Sequence, residues 1–341
     1  MTADKALDGS DMLLDLRDGI YADDFVMAAV AWLDLFTWLS GNPSTKEDIA
    51  RSLGLAERPL DVLLTLLAAL GLVERQDDTF ANTGTSEEFL VGGSPSNLGP
   101  FFASQKSRPS CLELCEVLKT DEPAGWSSQK EGKDWESLMG EDLFASGFTA
   151  AMDSRGAVLA PAMARTIPCE GYSNILDIAG GSGVYACAAV KEHAHMKAAV
   201  LEKPPVDDVA RASIAEKGFS KRVEVIGSDM FADELPRGFD IHLWSHVLHD
   251  WGESDVGTLL SKSFEALNPG GIIVIHDAHI NAEKTGPLPV ARFSVLLMHS
   301  TKGKCYSVRE IDDILDELGF RETRFAETTG NRSVIIAVKP G

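Results

Sequence analysis

The sequence predicts an α/β fold, in which a doubly wound, parallel sheet forms the C-terminal half behind an N-terminal helical region. Three observations predict it. From residue 174 onward, strand-like and helix-like segments alternate, as they must when parallel strands are joined by crossover helices. A glycine-rich turn, Gly180-Gly181-Ser182-Gly183, separates the first of those strands from the first helix. Residues before 90 show no such alternation and read instead as helices followed by a hairpin.

Residues 11–40 read as helical, and the segment from Asp23 to Gly41 is apolar almost all round, so it belongs in a core or a subunit interface. Gly41-Asn42-Pro43 ends it. Ser44 to Asp48 reads as the capped start of a helix reaching Gly54, residues 58–70 form a third helix, and residues 71–84 alternate as a hairpin turning at Gln76-Asp77-Asp78. Three helices and a hairpin make a winged-helix pattern. Its third helix carries Arg58, Asp61 and otherwise mostly Leu and Ala. That face can neither track phosphates nor read base edges, so the region reads as a dimerisation module.

Residues 93–110 look like a linker, residues 111–167 are mostly helical with apolar stretches at 138–148 and 152–163, and Pro168 and Gly171 mark a boundary. The expected organisation is a winged-helix dimerisation domain over 1–100, a helical connector contributing to a substrate pocket over 101–167, and a catalytic sheet domain over 168–341. Its strands are expected at 174–180, 198–204, 223–230, 240–247, 271–278 and 333–340, with a late helix at 307–320.

Composition narrows the function. Against 31 Lys and Arg stand 52 Asp and Glu, a net charge of −21, which repels nucleic acid and anionic membranes. No apolar run approaches the ~18 residues of a membrane span, and the first residues lack the pattern of a secretory signal. Five scattered cysteines, Cys111, Cys115, Cys169, Cys187 and Cys305, are not a disulfide framework. Cys111 and Cys115 have no nearby Cys or His pair to complete a zinc site. A cytoplasmic protein without a metal is expected.

The glycine turn lets a ligand approach the backbone, at the strand ends where open α/β sheets bind ligands. Glu202, ending the second strand, can accept hydrogen bonds from a ribose diol. NAD and S-adenosylmethionine both fit that outline, and three details favour the methyl donor. Asp177 would crowd a pyrophosphate but suits an ammonium group. The run Gly-Gly-Ser-Gly lacks G-x-G-x-x-G spacing. Asp229-Met230, ending the third strand, can bind an adenine amino group and cover its ring. A nucleophile elbow at Ser182 is excluded, because residue 184 is Val.

Together the motifs LDIAGGSG (176–183), LEKP (201–204), GSDMF (227–231), HVLHDW (246–251) and LNPGGIIVIHDA (267–278) resemble the small-molecule O-methyltransferases of the plant caffeate and animal acetylserotonin type, including their bacterial branch. The resemblance covers nearly the whole chain and implies a homodimeric, Rossmann-like, S-adenosylmethionine-dependent methyltransferase acting on a small molecule. It makes His249 the general base, with Asp277 in place of the glutamate that orients it. It implies cofactor contacts from Asp177, Gly180, Gly181, Gly183, Glu202, Asp229, Met230 and Ser245. Phe144, Phe148, Met152, Arg155, His246, His299 and Cys305 are candidates for the acceptor pocket. Cys305 departs from the family's second glutamate, which leaves room for sulfur methylation of a small thioether or thiol acid of the methylthio-hydroxybutyrate type, on the dimethylsulfoniopropionate route. A non-catalytic protein that binds the same nucleoside is the third reading.

Overall fold

In the N-terminal region the apolar stretch expected as one helix is two, because the chain turns at Asp34 through a left-handed conformation (φ 49°). The computed structural model describes residues 8–124 and 142–341. Helix α1 spans Asp8–Asp18, α2 Ala22–Ala31 and α3 Leu35–Leu39. Helix α2 buries Phe25, Val26, Ala28, Ala29 and Val30, as its nearly all-apolar sequence requires. Strand β1 (Ser44–Thr45) leads into α4 (Lys46–Leu53), whose start is capped by Thr45 Oγ1 accepting from Asp48 N at 3.2 Å. Helix α5 (Glu57–Ala69) buries Leu60, Leu63, Leu64, Leu66 and Leu67. Strands β2 (Val73–Gln76) and β3 (Thr79–Asn82) form the hairpin, and β1 joins it antiparallel in the order β1-β3-β2. This is the expected wing. Helices α6 (Gly84–Phe89), α7 (Gly99–Ala103) and α8 (Pro109–Thr120) follow. Thus the expected linker over 93–110 contains a short helix, and α8 buries both Cys111 and Cys115.

The long helix α9 (Asp142–Thr166) leads into the second region. There β4 (Asn174–Ile178), α10 (Val184–Glu192), β5 (Lys197–Glu202), α11 (Val206–Glu216), β6 (Val223–Gly227), β7 (Ile241–Ser245), α12 (Glu253–Ala266) and β8 (Ile272–Asp277) alternate as expected. Helix α13 (Leu288–Ser300), α14 (Val308–Leu318), β9 (Arg321–Glu327) and β10 (Ser333–Val338) complete the chain. Among the described residues the sheet has seven strands in the order β6-β5-β4-β7-β8-β10-β9. The pairings from β6 through β8 are parallel, whereas β10 runs antiparallel to both β8 and β9. The closing strand therefore corrects the expectation of a wholly parallel sheet. Strand β9 was not expected, because its alternation is masked by charge (Arg321, Glu322, Arg324, Glu327) on an edge strand, where charged side chains discourage further pairing.

The described residues divide into two units, one comprising 8–12, 142–279 and 308–341 and the other 13–124 and 280–307. Residues 280–307, which lie inside the expected catalytic segment, thus fold with the N-terminal helices. Part-buried polar contacts tie them there. Asp61 on α5 receives Lys284 Nζ at 2.8 Å and Lys304 Nζ at 2.6 Å, and Arg58 donates to the carbonyls of Thr301 (3.2 Å) and Gly303 (2.7 Å). The polar pair of the third helix, weighed above for nucleic acid, holds this segment in place.

Candidate active site

The carboxyl ends of β4, β5, β6, β7 and β8 lie in register along one edge of the sheet: Ile178 beside Leu201 and Trp244, Glu202 beside Gly227, Ser245 beside His276. The chain order reverses direction between β4 and β7, the topological switch point at which such sheets bind ligands.

The glycine turn bends through left-handed conformations at Ala179 (φ 53°), Gly181 (58°) and Gly183 (76°). A side chain at Gly180 would lie 2.6 Å from the Asp177 carboxyl, and one at Gly183 would lie 2.9 Å from Ile214, so both positions need glycine for room. Asp177 is fully buried. Its Oδ2 accepts from Ala186 N at 3.1 Å, while Oδ1 has no hydrogen-bond partner among the described residues. Glu202 Oε1 accepts from Gly181 N at 2.7 Å. Burial pushes both carboxyls up to about 7, against the pull of these backbone N–H groups. Two enclosed carboxylates of this kind suit a cationic nucleoside, which would supply the missing charge. Two residues beyond β6, Asp229 Oδ1 accepts from Phe231 N (2.8 Å) and Ala232 N (3.1 Å), and Asp229 and Met230 are half-buried. Trp251 packs edge-on against Phe231 with ring centroids 4.6 Å apart.

Across the edge, His249 sits in a short 3-10 turn, Leu248–Asp250, just after β7. Its Nδ1 lies 2.6 Å from Asp277 Oδ1, at the end of β8, and Asp277 Oδ1 also accepts from Ala278 N at 2.8 Å. Burial alone would lower the imidazole, but the charges of Asp277 and Asp250 and the bond to Asp277 outweigh it and raise His249 above its ordinary value. His249 answers by holding Asp277 down at about 2, although burial pushes the other way. Ser245 Oγ pairs with His276 Nδ1 at 2.8 Å. His246 is buried and lies 3.6 Å from Asp277 Oδ1.

Phe148, Met152 and Arg155 follow one another at helical spacing on α9, all half-buried, and the Arg155 charge opposes protonation of His246, His249 and His276. The Phe144 side chain lies outside the described residues. His299 and Cys305 belong to the other unit. There His299 stacks on Tyr21 at 4.1 Å and meets Glu113 at 3.0 Å, and the buried Cys305 donates its backbone N–H to Ser294 at 3.1 Å. Tyr185 and Arg332, both buried in the sheet unit, were not singled out from sequence. Each acts electrostatically or by ring contact on the imidazoles near His249, but neither sits in a periodic or motif context that would flag it.

Residues 116–321 match the O-methyltransferase domain family, and residues 14–92 match the O-methyltransferase dimerisation domain. The chain belongs to the O-methyltransferase family. It is an S-adenosylmethionine-dependent methyltransferase. A relative from Streptomyces sahachiroi, 3-hydroxy-5-methyl-1-naphthoate 3-O-methyltransferase, is 30% identical, with 96% of this chain and 95% of that protein covered. The acetylserotonin O-methyltransferase of Gallus gallus is 24% identical over 90% of this chain and 92% of its own. Among solved structures, an O-methyltransferase family 2 protein from Planctomyces limnophilus in complex with apigenin superposes with a TM-score of 0.86 at 27% identity, covering 96% of this chain and 95% of that one. The fold expected from the motifs, a Rossmann-like sheet domain with an N-terminal dimerisation domain, is the methyltransferase fold. Among the described residues no helix is long and apolar enough to cross a membrane.

Proposed function

We propose that this methyltransferase methylates a hydroxyl oxygen of a small molecule, with His249 as general base and Asp277 as its orienting carboxylate. The observation that carries the proposal is the 2.6 Å contact between His249 Nδ1 and Asp277 Oδ1, buried beside the nucleoside cradle. With Nδ1–H donating to Asp277, the neutral ring carries its lone pair on Nε2, the atom that would take the acceptor's proton. The imidazolium formed on proton transfer is held by the Asp277 charge. When bound, S-adenosylmethionine supplies an electrophilic methyl group on its sulfonium. Asp177 would hold its ammonium, directly or through water. Glu202 would take the ribose diol, and Asp229 with Met230 the adenine. Gly180, Gly181 and Gly183 give close backbone approach, and Ser245 completes the cradle.

Phe148, Met152 and Arg155 would face the acceptor. The relative from S. sahachiroi is named for a hydroxylated naphthoate, and an acceptor with both hydroxyl and carboxylate fits a guanidinium fork at Arg155. His249→Ala tests the base. Turnover should fall by about 10²–10⁴-fold, while affinity for the donor stays within about twofold of wild type. A variant that retains wild-type turnover would remove His249 from the chemistry.

The protein acts as a cytoplasmic homodimer in this reading. On α1 and just beyond it, Leu13, Leu16 and Ile20 follow one stripe and are 62%, 66% and 56% exposed in the single chain, an apolar face that a second copy would cover. Leu16→Asp combined with Ile20→Asp should yield a monomer by light scattering, and a variant that stays dimeric would place the interface elsewhere.

A further inference from the structure

One buried side chain near the site is left unexplained by methyl transfer. The His246 side chain is 1% exposed, yet among the described residues neither ring nitrogen has a hydrogen-bond partner. A neutral imidazole always carries one N–H and one lone pair, so both go unmet inside the fold. Its neighbours each hold at least one ring bond: His276 bonds Ser245 at 2.8 Å and Thr328 at 3.4 Å, and His279 bonds Ser333 at 2.8 Å through Nδ1. The backbone of His246 is also held left-handed (φ 57°), with its N–H donated to His276 O at 2.9 Å. Strain combined with an unmet buried polar group marks a place shaped for a ligand.

Among the described residues, His246, His249 and Asp277 place one potential metal-ligating atom each within 4.8 Å of one another. A tetrahedral ion with bonds of 2.0–2.1 Å spaces its ligand atoms roughly 3.3 Å apart. The observed separations from Asp277 Oδ1 bracket that value, at 2.6 Å to His249 Nδ1 and 3.6 Å to His246 Nδ1. Small side-chain adjustments would therefore exchange the proton between His249 and Asp277 for a cation. Two imidazoles and a carboxylate suit zinc and its first-row neighbours rather than magnesium or calcium. Three protein ligands leave a fourth position for water.

We propose that His246, His249 and Asp277 bind a divalent first-row transition cation of the zinc class, and that its binding switches methyl transfer off. The switch follows from proton count. A neutral imidazole that coordinates metal through Nδ1 keeps its one proton on Nε2, so Nε2 has no lone pair with which to take the acceptor's proton. This inhibitory half rests on His249 being the base, whereas the binding half does not.

Cobalt(II), a spectroscopic stand-in for zinc, tests both halves. Titrating the metal-free protein should bring up the visible ligand-field bands of tetrahedral cobalt, saturating at one ion per chain, with turnover falling in parallel. His246→Phe should weaken cobalt binding by at least about a hundredfold, beyond the loss typical of an outer-shell change. His246→Cys should keep the bands and add an intense thiolate-to-cobalt transition in the near ultraviolet, which only direct ligation produces. Absence of bands in the wild type, or equal bands and affinity in His246→Phe, would overturn the site. Cobalt that binds through His246 while turnover is unchanged would support the site and overturn the base assignment behind the switch.

Discussion

Asp277→Asn is expected to lower kcat by about 10²–10⁴-fold and to move the rising limb of the kcat/KM profile to lower pH. His249 works only when unprotonated, so activity is lost as pH falls through the imidazole's value. In the wild type that value lies above the ordinary 6.5, because two carboxylates and a short bond outweigh burial. An amide at 277 removes the charge that does most of the raising, and burial then governs and draws the imidazole down. The variant is therefore slower at every pH, yet holds its own maximum further into acid. A merely structural role for Asp277 would reduce activity without moving the limb. Initial rates measured from pH 5 to 9 at subsaturating acceptor decide between them, and an unmoved limb would remove Asp277 as the orienting group.

The parts of this site legible in sequence are those that depend on local chemistry. The glycine turn declares itself because only glycine tolerates the left-handed bend at Gly183 beside Ile214. Asp177, Glu202 and Asp229 each lie within two residues of a strand's carboxyl end, and the strand pattern alone carries them to one edge. The His249–Asp277 pair was legible through the family resemblance, and β7 and β8, adjacent and parallel, bring the two within hydrogen-bonding distance. Long-range placement was not legible. Nothing in the segment 280–307 announces that Lys284 and Lys304 will pair with Asp61, more than two hundred residues away. An ion pair of that separation has no periodicity to betray it. The antiparallel return of β10 was equally hidden, since direction depends on the connection through β9 and not on the strand's own residues. Nor could the orphaned ring of His246 be read from HVLHDW, because satisfaction of a polar group is a property of its surroundings.

Donor binding is expected to weaken as pH falls below about 7 and to level off above it. Burial, with their mutual charges adding to it at Asp177, holds Asp177 and Glu202 at about 7 in the free protein, and both must ionise to receive an ammonium and a ribose diol. Calorimetry near pH 6.5 should therefore show proton release, read as a binding enthalpy that changes with the ionisation enthalpy of the buffer. The same raised values bear on folding with a definite sign. An acid that is harder to ionise when folded makes the folded state lose stability as pH rises from its ordinary value near 4 to about 7. Ligand that supplies the missing cation should restore that loss. Asp177→Asn removes one of the two ionisations. The free variant should melt higher than wild type at pH 8, while its affinity for the donor falls by about 10–100-fold, the loss expected when a charge-assisted bond of about 1.5–3 kcal/mol is removed. Because the variant gains stability as it loses binding, unfolding cannot account for the loss. Donor affinity that is flat from pH 6 to 8, or unchanged in Asp177→Asn, would take Asp177 out of the cradle.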